Sequence, residues 1–409
     1  MEQDTYKVYA YRWVILTVFM IVVGINQLMW ITFAPITSIA AEYYKVSDIK
    51  IGLLSMIFMI VYIIISFPAS WVIDTYGVRA GVGIGAVLTG VFGMLRGLYA
   101  SDYTMVLISQ IGIAIGQPFI MNAITALAAR WFPIHERATA SGLGTLASYL
   151  GVVAGMTLTP YLTIHSGMGG MLNSYGIVSL IAAIVFFSLM KEKPPTAPYR
   201  PDQEERLLVL DGLKQTLRKR NFIWLMLIFF VGLGVFNSVA TWIEDILRPR
   251  GFSVTQAGIT GGIMIAGGII GALILPILSD HHRKRIPFII IALAGTILGL
   301  AGVTFATGYA LLIVSAFSMG FFLLSAGPIG FQYGAEIAFP ASEGMSNGLL
   351  LLMGQFSGII FIVGMDILKS PVTGSMTMPL VALIVLMGLS LLLSTWLKES
   401  DMLSANKQK

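Results

Sequence analysis

The sequence predicts an all-α polytopic membrane protein of twelve transmembrane helices in two pseudo-symmetric six-helix bundles. Three observations predict it. Of 409 residues, 56% are hydrophobic and 11% charged, whereas an ordinary soluble domain carries roughly 25% charged residues. Apolar stretches about twenty residues long recur throughout, enough for a helix to cross ~30 Å of hydrocarbon. Two short polar loops also return half a chain later. Asp74-Thr75-Tyr76-Gly77-Val78-Arg79 comes back as Asp280-His281-His282-Arg283-Lys284-Arg285, an offset of 280 − 74 = 206. Phe132-Pro133-Ile134-His135-Glu136 comes back as Phe339-Pro340-Ala341-Ser342-Glu343, an offset of 340 − 133 = 207. Agreement of two unrelated loops to one residue marks a duplicated half, the way many transporters build a central site between alternating gates.

In order, the spans are expected at 12–38, 51–73, 80–99, 104–129, 138–164 and 171–190, then at 221–247, 254–279, 286–305, 308–338, 344–368 and 376–397. Span one is longer than a signal-peptide core and precedes no small-residue cleavage site, so it is expected to remain as an anchor. Span four contains Gly116-Gln117-Pro118 and span ten Gly327-Pro328, which predicts a bend in each half. Gly151/Gly155, Gly267/Gly271 and Gly354/Gly358 stand one turn apart in spans five, eight and eleven, where small residues let helices approach and slide. The one long polar connection is 191–220. It opens with Lys191-Glu192-Lys193-Pro194-Pro195, which cannot continue a helix. Leu207, Leu208, Leu210, Leu213 and Leu217 follow among charges. This is either an amphipathic helix on the inner membrane surface or a plain tether. The domains are therefore 1–190, a linker 191–220, and 221–409.

Orientation follows from Lys and Arg. With both termini cytoplasmic, the inner segments hold 19 of the 25 basic residues and the outer ones hold Lys45, Lys50, Arg248, Arg250 and Lys369; Arg96 lies in span three near its outer end. The expected location is an integral position in the plasma (inner) membrane. The net charge of +5 is explained by this placement and requires no nucleic acid. There are no cysteines, so neither disulfides nor thiol chemistry enters. No metal-ligand cluster, nucleotide loop or nucleophile with a base appears. No enzyme activity, cofactor or metal is expected, and the partners are a small-molecule substrate and the bilayer around a monomer.

Twelve spans in two six-span halves, with Ser70-Trp71-Val72-Ile73-Asp74-Thr75-Tyr76-Gly77-Val78-Arg79 between spans two and three and a second copy at Asp280 and Arg285, resemble the major facilitator superfamily and its loop signature. Serine replaces its first glycine. The second copy has Pro276 and Arg283 at the glycine positions, so its charge is kept and its shape is open. The first half is similar in more detail to the feline leukaemia virus subgroup C receptor family, linked to choline, ethanolamine, haem and pyridoxine. The residues are Tyr11-Arg12-Trp13-Val14, Gln27-Leu28-Met29-Trp30-Ile31, Phe67-Pro68-Ala69-Ser70-Trp71, Gly116-Gln117-Pro118-Phe119-Ile120, Trp131-Phe132-Pro133 and Leu150-Gly151-Val152-Val153-Ala154-Gly155. After residue 170 the similarity is patchy. The resemblance implies choline binding by a tryptophan in span one, a glutamine in span four, a tyrosine in span seven and a glutamine in span eleven. Trp30, Gln117 and Gln355 stand at three of these, and Asn237 replaces the tyrosine. Half of the aromatic cage is missing, so the substrate is not simply inherited.

The residues themselves lead to nearly the same set. Asn237 falls 237 − 30 = 207 after Trp30. Polar groups inside a span are costly unless they face a partner or water. Asn26, Gln27, Trp30, Gln117, Asn122, Tyr149, Asn237, Gln332, Tyr333 and Gln355 are such groups. For each amide, a helix-to-helix hydrogen bond competes with solute binding, and Tyr149 is expected to pack between the halves. No charged residue or His lies near the middle of a span, which argues against a proton relay. The absence of paired arginines argues against an organic phosphate. A neutral, amide-rich cavity with one tryptophan suits an uncharged polar solute or an organic cation held on a π face. Glu244, Asp245 and Asp366 at outer ends either draw cations to the mouth or form a solvated rim. The function expected is facilitated uniport by alternating access, choline being one such solute. The other class is a membrane receptor that binds without transport, which an appended signalling domain would favour. The gate is expected at Asp74, Gly77, Arg79, Asp280, Arg285, Glu136 and Arg137. In the outward-open form Asp74 is expected near Gly344–Asn347, and Asp280 near Ala138–Ser141, each a carboxylate at a helix N-terminus.

Overall fold

Where no water reaches the backbone, long apolar runs must satisfy their own N–H and C=O groups, so they become helices. The structure, a computed structural model, describes residues 8–196, 216–339 and 343–400. Among the described residues there is no strand, and 11 helices are long and apolar enough to cross a membrane. One of them, His135–Leu189, has 55 residues. At about 1.5 Å per residue it would run roughly 80 Å, far beyond one bilayer core. Gly167 divides it: with φ 70° and ψ 174° it leaves the helical region inside the run, a conformation that glycine adopts without a Cβ penalty. Spans five and six lie on either side, which makes twelve.

The chain divides into two compact units, Met1–Glu205 and Arg206–Lys409. The linker helix expected across Leu207, Leu208, Leu210 and Leu213 lies outside the described residues. Each unit uses the same four principal packings. In the first, span one packs on span five, two on four, three on four and three on six. In the second, seven packs on eleven, eight on ten, nine on ten and nine on twelve. Matching pair lists are what a duplicated six-helix topology requires. Small residues set the closest approaches. A Cβ on Gly151 would strike the Gly24 backbone, and one on Gly320 would strike the Met264 carbonyl, so these crossings exclude any larger side chain.

Breaks in the helices also recur. Span one is helical over Arg12–Ile31, then a 3-10 turn Ala34–Ile36, then Thr37–Tyr44. Pro35 explains the break, because a proline clashes with the carbonyl four residues earlier, here Ile31. Span seven is helical over Arg220–Thr241 and resumes at Ile243–Leu247, with Trp242 fully buried between. Span four breaks after Met121, at Asn122, and continues as Ala123–Trp131. Span ten carries Pro328 inside one uninterrupted helix, Tyr309–Ala338. At the two Gly-Pro sites where a bend is expected, Pro118 and Pro328 both lie inside helices, and the helix break that follows, at Asn122, occurs only in the first half. Asn122 accounts for the difference: Tyr62 donates to its Oδ1 at 2.7 Å, and its Nδ2 donates among the Ser66 carbonyl and the Ser66 and Ser70 hydroxyls at 2.9–3.1 Å.

Candidate functional site

In the first unit the break after Ile31 leaves Trp30 at the end of a helix, buried at 6% exposure. Its Nε1 donates to the Ser55 carbonyl at 3.2 Å, and the Ser55 hydroxyl donates to the Trp30 carbonyl at 3.4 Å. The polar edge of the indole is thus committed to span two. Asn26 is fully buried; its Nδ2 donates to Thr89 Oγ1 at 3.1 Å and to the Ile113 carbonyl at 3.5 Å, a tie across spans one, three and four. Among the described residues Gln27 meets only a thioether, donating to Met121 Sδ at 3.6 Å, and Ser148 of span five reaches the same sulfur at 3.8 Å. Met121 lies one helical turn beyond Gln117, on the same side of span four. Gln117 is buried at 9% exposure. Neither its amide nor the Tyr149 hydroxyl makes a hydrogen bond among the described residues.

In the second unit, Asn237 Nδ2 donates to the Gly354 carbonyl at 3.1 Å. This sets Asn237 against span eleven, beside Gln355. Gln355 is half-buried and its amide makes no hydrogen bond among the described residues. Trp30 and Asn237 share a place in the repeat but turn to different neighbours, span two and span eleven. Tyr333 is fully buried and its hydroxyl donates to the Lys398 carbonyl at 2.6 Å, which anchors the chain after span twelve. Gln332 donates to Glu336 at 3.1 Å.

The expected gate residues fall into two kinds. Asp74 and Arg79 are exposed, and their side chains make no ion pair among the described residues. The others are bound within their own unit. Glu136 takes both Arg12 Nε (2.9 Å) and Nη2 (3.2 Å), closing the start of span five onto the start of span one. Arg137 Nε donates to the Phe132 carbonyl at 3.3 Å. Arg285 is 7% exposed and bridges Asp280 and Glu336, the latter through Nε at 3.2 Å and Nη2 at 3.0 Å. Burial would lower its pKa, but the hydrogen bonds and charges of Asp280 and Glu336 outweigh that and raise it. The open shape of the second loop has an answer. Gly77 has φ +99°, and Arg283, its counterpart at offset 206, has φ +50°. Both loops turn through positive φ, one with glycine and one at the cost of a non-glycine residue there.

Two residues at this end went unrecognised in the sequence. Glu192 accepts the backbone N–H groups of Val78 (3.1 Å) and Arg79 (2.7 Å) and pairs with Arg130. Glu399 accepts those of Arg285 (3.0 Å) and Ile286 (3.0 Å). Each carboxylate, from just beyond the sixth helix of its unit, sits on the N-terminus of the third, where unpaired N–H groups and the helix dipole favour negative charge. The signal was available: 399 − 192 = 207, 285 − 78 = 207 and 286 − 79 = 207. The outer acids need a correction. Glu244 and Asp245 are 2% and 0% exposed, and Asp245 holds Arg248 at 2.8 Å and Lys369 at 2.7 Å. They form neither a solvated rim nor a bare cation attractor, because buried carboxylates need paired cations.

Comparison with known proteins agrees with this architecture. The family description Major Facilitator Superfamily matches residues 19–362. Solute carrier family 49 member A3 of Xenopus tropicalis is 29% identical over 391 residues, covering 90% of this chain and 80% of the relative. The choline/ethanolamine transporter FLVCR1 of Mus musculus is 27% identical over 387 residues, covering 86% and 68%. FLVCR2 of Homo sapiens, also a choline/ethanolamine transporter, is 26% identical over 378 residues, covering 87% and 72%. Among solved structures, a bacterial homolog of the human lysosomal transporter Spinster, inward-facing and unoccupied, superposes with a TM-score of 0.77 at 15% identity, over 96% of this chain and 98% of that one.

Proposed function

Since the chain belongs to the major facilitator superfamily and is an integral membrane transporter rather than an enzyme, we propose that it carries a choline- or ethanolamine-like amine, or a neutral polar solute of similar size, by facilitated uniport. One observation carries the proposal. Of the amides inside the spans, Asn26, Asn122, Asn237 and Gln332 are committed to protein partners. Gln117 and Gln355 are not, and they stand at two positions of the choline-binding pattern. Trp30, whose N–H is committed to Ser55, offers its ring face, worth roughly 0.5–2 kcal/mol to a cation. The first unit would thus present Trp30, Gln27 and Gln117 to a solute and the second Gln355, with Asn237 fixed beside it by its bond to the Gly354 carbonyl.

The test is uptake into proteoliposomes of labelled choline and ethanolamine. Trp30→Ala is expected to cost much more affinity than Trp30→Phe, and Gln117→Ala and Gln355→Ala are each expected to raise KM. Asn237→Tyr is expected to raise affinity for choline by restoring an aromatic wall. Tetramethylammonium competes if the solute is an amine and does not if it is a neutral ring stacked on Trp30. Uptake unaffected by Trp30→Ala, Gln117→Ala and Gln355→Ala together would refute the site.

A further inference from the structure

Arg96 takes no part in the site above, and in sequence it reads as a residue near the end of span three. The structure closes it off completely, at 0% exposure. One edge of its guanidinium is used: Nη1 donates to the Met29 carbonyl at 3.3 Å and to Gln110 Oε1 at 2.8 Å. Gln110 has no further donor to spare, since its Nε2 serves the carbonyls of Met29 (3.2 Å) and Leu54 (3.0 Å). The Phe33 ring centroid lies 5.7 Å from the guanidinium carbon.

The opposite edge, Nε and Nη2, is buried and has no hydrogen-bond partner among the described residues. Those two N–H groups point the same way and form the fork with which arginine takes an anion side-on. No carboxylate pairs with Arg96 among the described residues. The titratable groups acting on it are the phenols of Tyr44 and Tyr175, which are occupied with the Ala100 carbonyl and with Thr159. A guanidinium stays protonated even when buried, and a buried charge without a counter-charge is strongly unfavourable. The oxygens on the used edge are neutral dipoles and leave the net charge uncompensated.

We propose that the Nε/Nη2 edge of Arg96 binds a small monovalent anion of chloride size, held inside the first unit among spans one, three and four. Water could satisfy the donors but not the charge. Full enclosure excludes a bulky organic anion. The anion would fix the carbonyl cluster of Met29 and Leu54, directly beside the Trp30–Ser55 pair, so its loss would loosen the end of span one. The proposal does not depend on which solute is carried.

The experiment uses the purified full-length protein, melted in sodium chloride and in sodium gluconate at equal ionic strength. Chloride and bromide are expected to raise Tm saturably over gluconate. Arg96→Gln is expected to lose that shift, while Lys193→Gln, which removes an exposed cation, keeps it. Should Arg96→Gln fail to fold, Arg96→Lys retains the charge without the fork and is expected to lose the shift. In crystals of the unaltered protein, bromide is expected to give an anomalous peak at the Nε/Nη2 edge. Equal melting in chloride and gluconate, a shift that survives in Arg96→Gln or Arg96→Lys, or density for water only at that edge would each overturn the proposal.

Discussion

Both loop copies pass through positive φ, Gly77 with ψ 168° and Arg283 in the left-handed helical region with ψ 44°, and this makes a pair of tests. Gly77 holds φ +99°, and a Cβ there would run into the Glu192 carboxylate. Gly77→Ala should therefore cost roughly 1–3 kcal/mol from the conformation alone, with the collision added. Arg283 holds φ +50° as a non-glycine residue, so Arg283→Gly should leave stability unchanged or raise it by up to about 1 kcal/mol. Melting in detergent reads both, and a Gly77→Ala protein as stable as the unaltered one defeats the argument. Arg285 makes a second contrast. Its side chain and that of Glu336 are each 8% exposed, so Arg285→Ala strands a buried carboxylate and should cost on the order of 3–5 kcal/mol. Glu136, more open at 27%, should make Arg12→Ala nearer to 1 kcal/mol. Equal losses would mean that burial does not decide the cost. Gly77 was legible because it belongs to a repeated motif. The burial of Arg96 was not, because an arginine in the last turn of a helix ordinarily extends its head group to water, and nothing local marks the one that cannot.

Helices were legible where composition alone decides them. Ile286–Phe305 occupies the span expected for it, and the other long helices depart from expectation mainly at their ends. Those departures have local causes that apolar periodicity does not carry: Pro35 ends the first helix of span one, Asn122 interrupts span four, and Gly167 turns the chain between spans five and six. The helix starts are where the sequence held more than was drawn from it. Glu192 and Glu399 cap spans three and nine at the repeat offset, yet each reads in isolation as one charge among the Lys and Glu that follow an apolar run. Removing a cap of this kind typically costs 0.5–2 kcal/mol. Glu192→Gln and Glu399→Gln should each fall in that range and speed amide hydrogen exchange at Val78–Arg79 and Arg285–Ile286 respectively. Glu192→Gln should also free Arg130. Unchanged exchange at those four amides, with Tm intact, would show that the carboxylates merely rest on the helix ends.

At the scale of the whole molecule, the duplication was readable from two loops, and the paired packing lists of the two units match it helix for helix. The solute was not readable, because in the proposed site specificity would rest on which amides are left uncommitted, and commitment depends on neighbours brought together from distant spans. Energy coupling belongs to this scale too. A proton relay inside a membrane needs a titratable group that can change charge during the cycle. Among the described residues the buried acids are already paired: Asp245 holds Arg248 and Lys369, Glu244 meets Arg248 at 3.6 Å, and Glu336 holds Arg285. Each is closer to a helix end than to the middle of a span, and each would lose an ion pair on protonation. The amides that remain, Gln117 and Gln355, do not titrate. Uptake of choline, whose charge is fixed, into proteoliposomes held at zero membrane potential should therefore run down the solute gradient, stop at equal concentrations, and keep that end point when a pH gradient of either sign is imposed. Accumulation above equilibrium, driven by protons alone and abolished by an uncoupler, would require a relay and refute uniport.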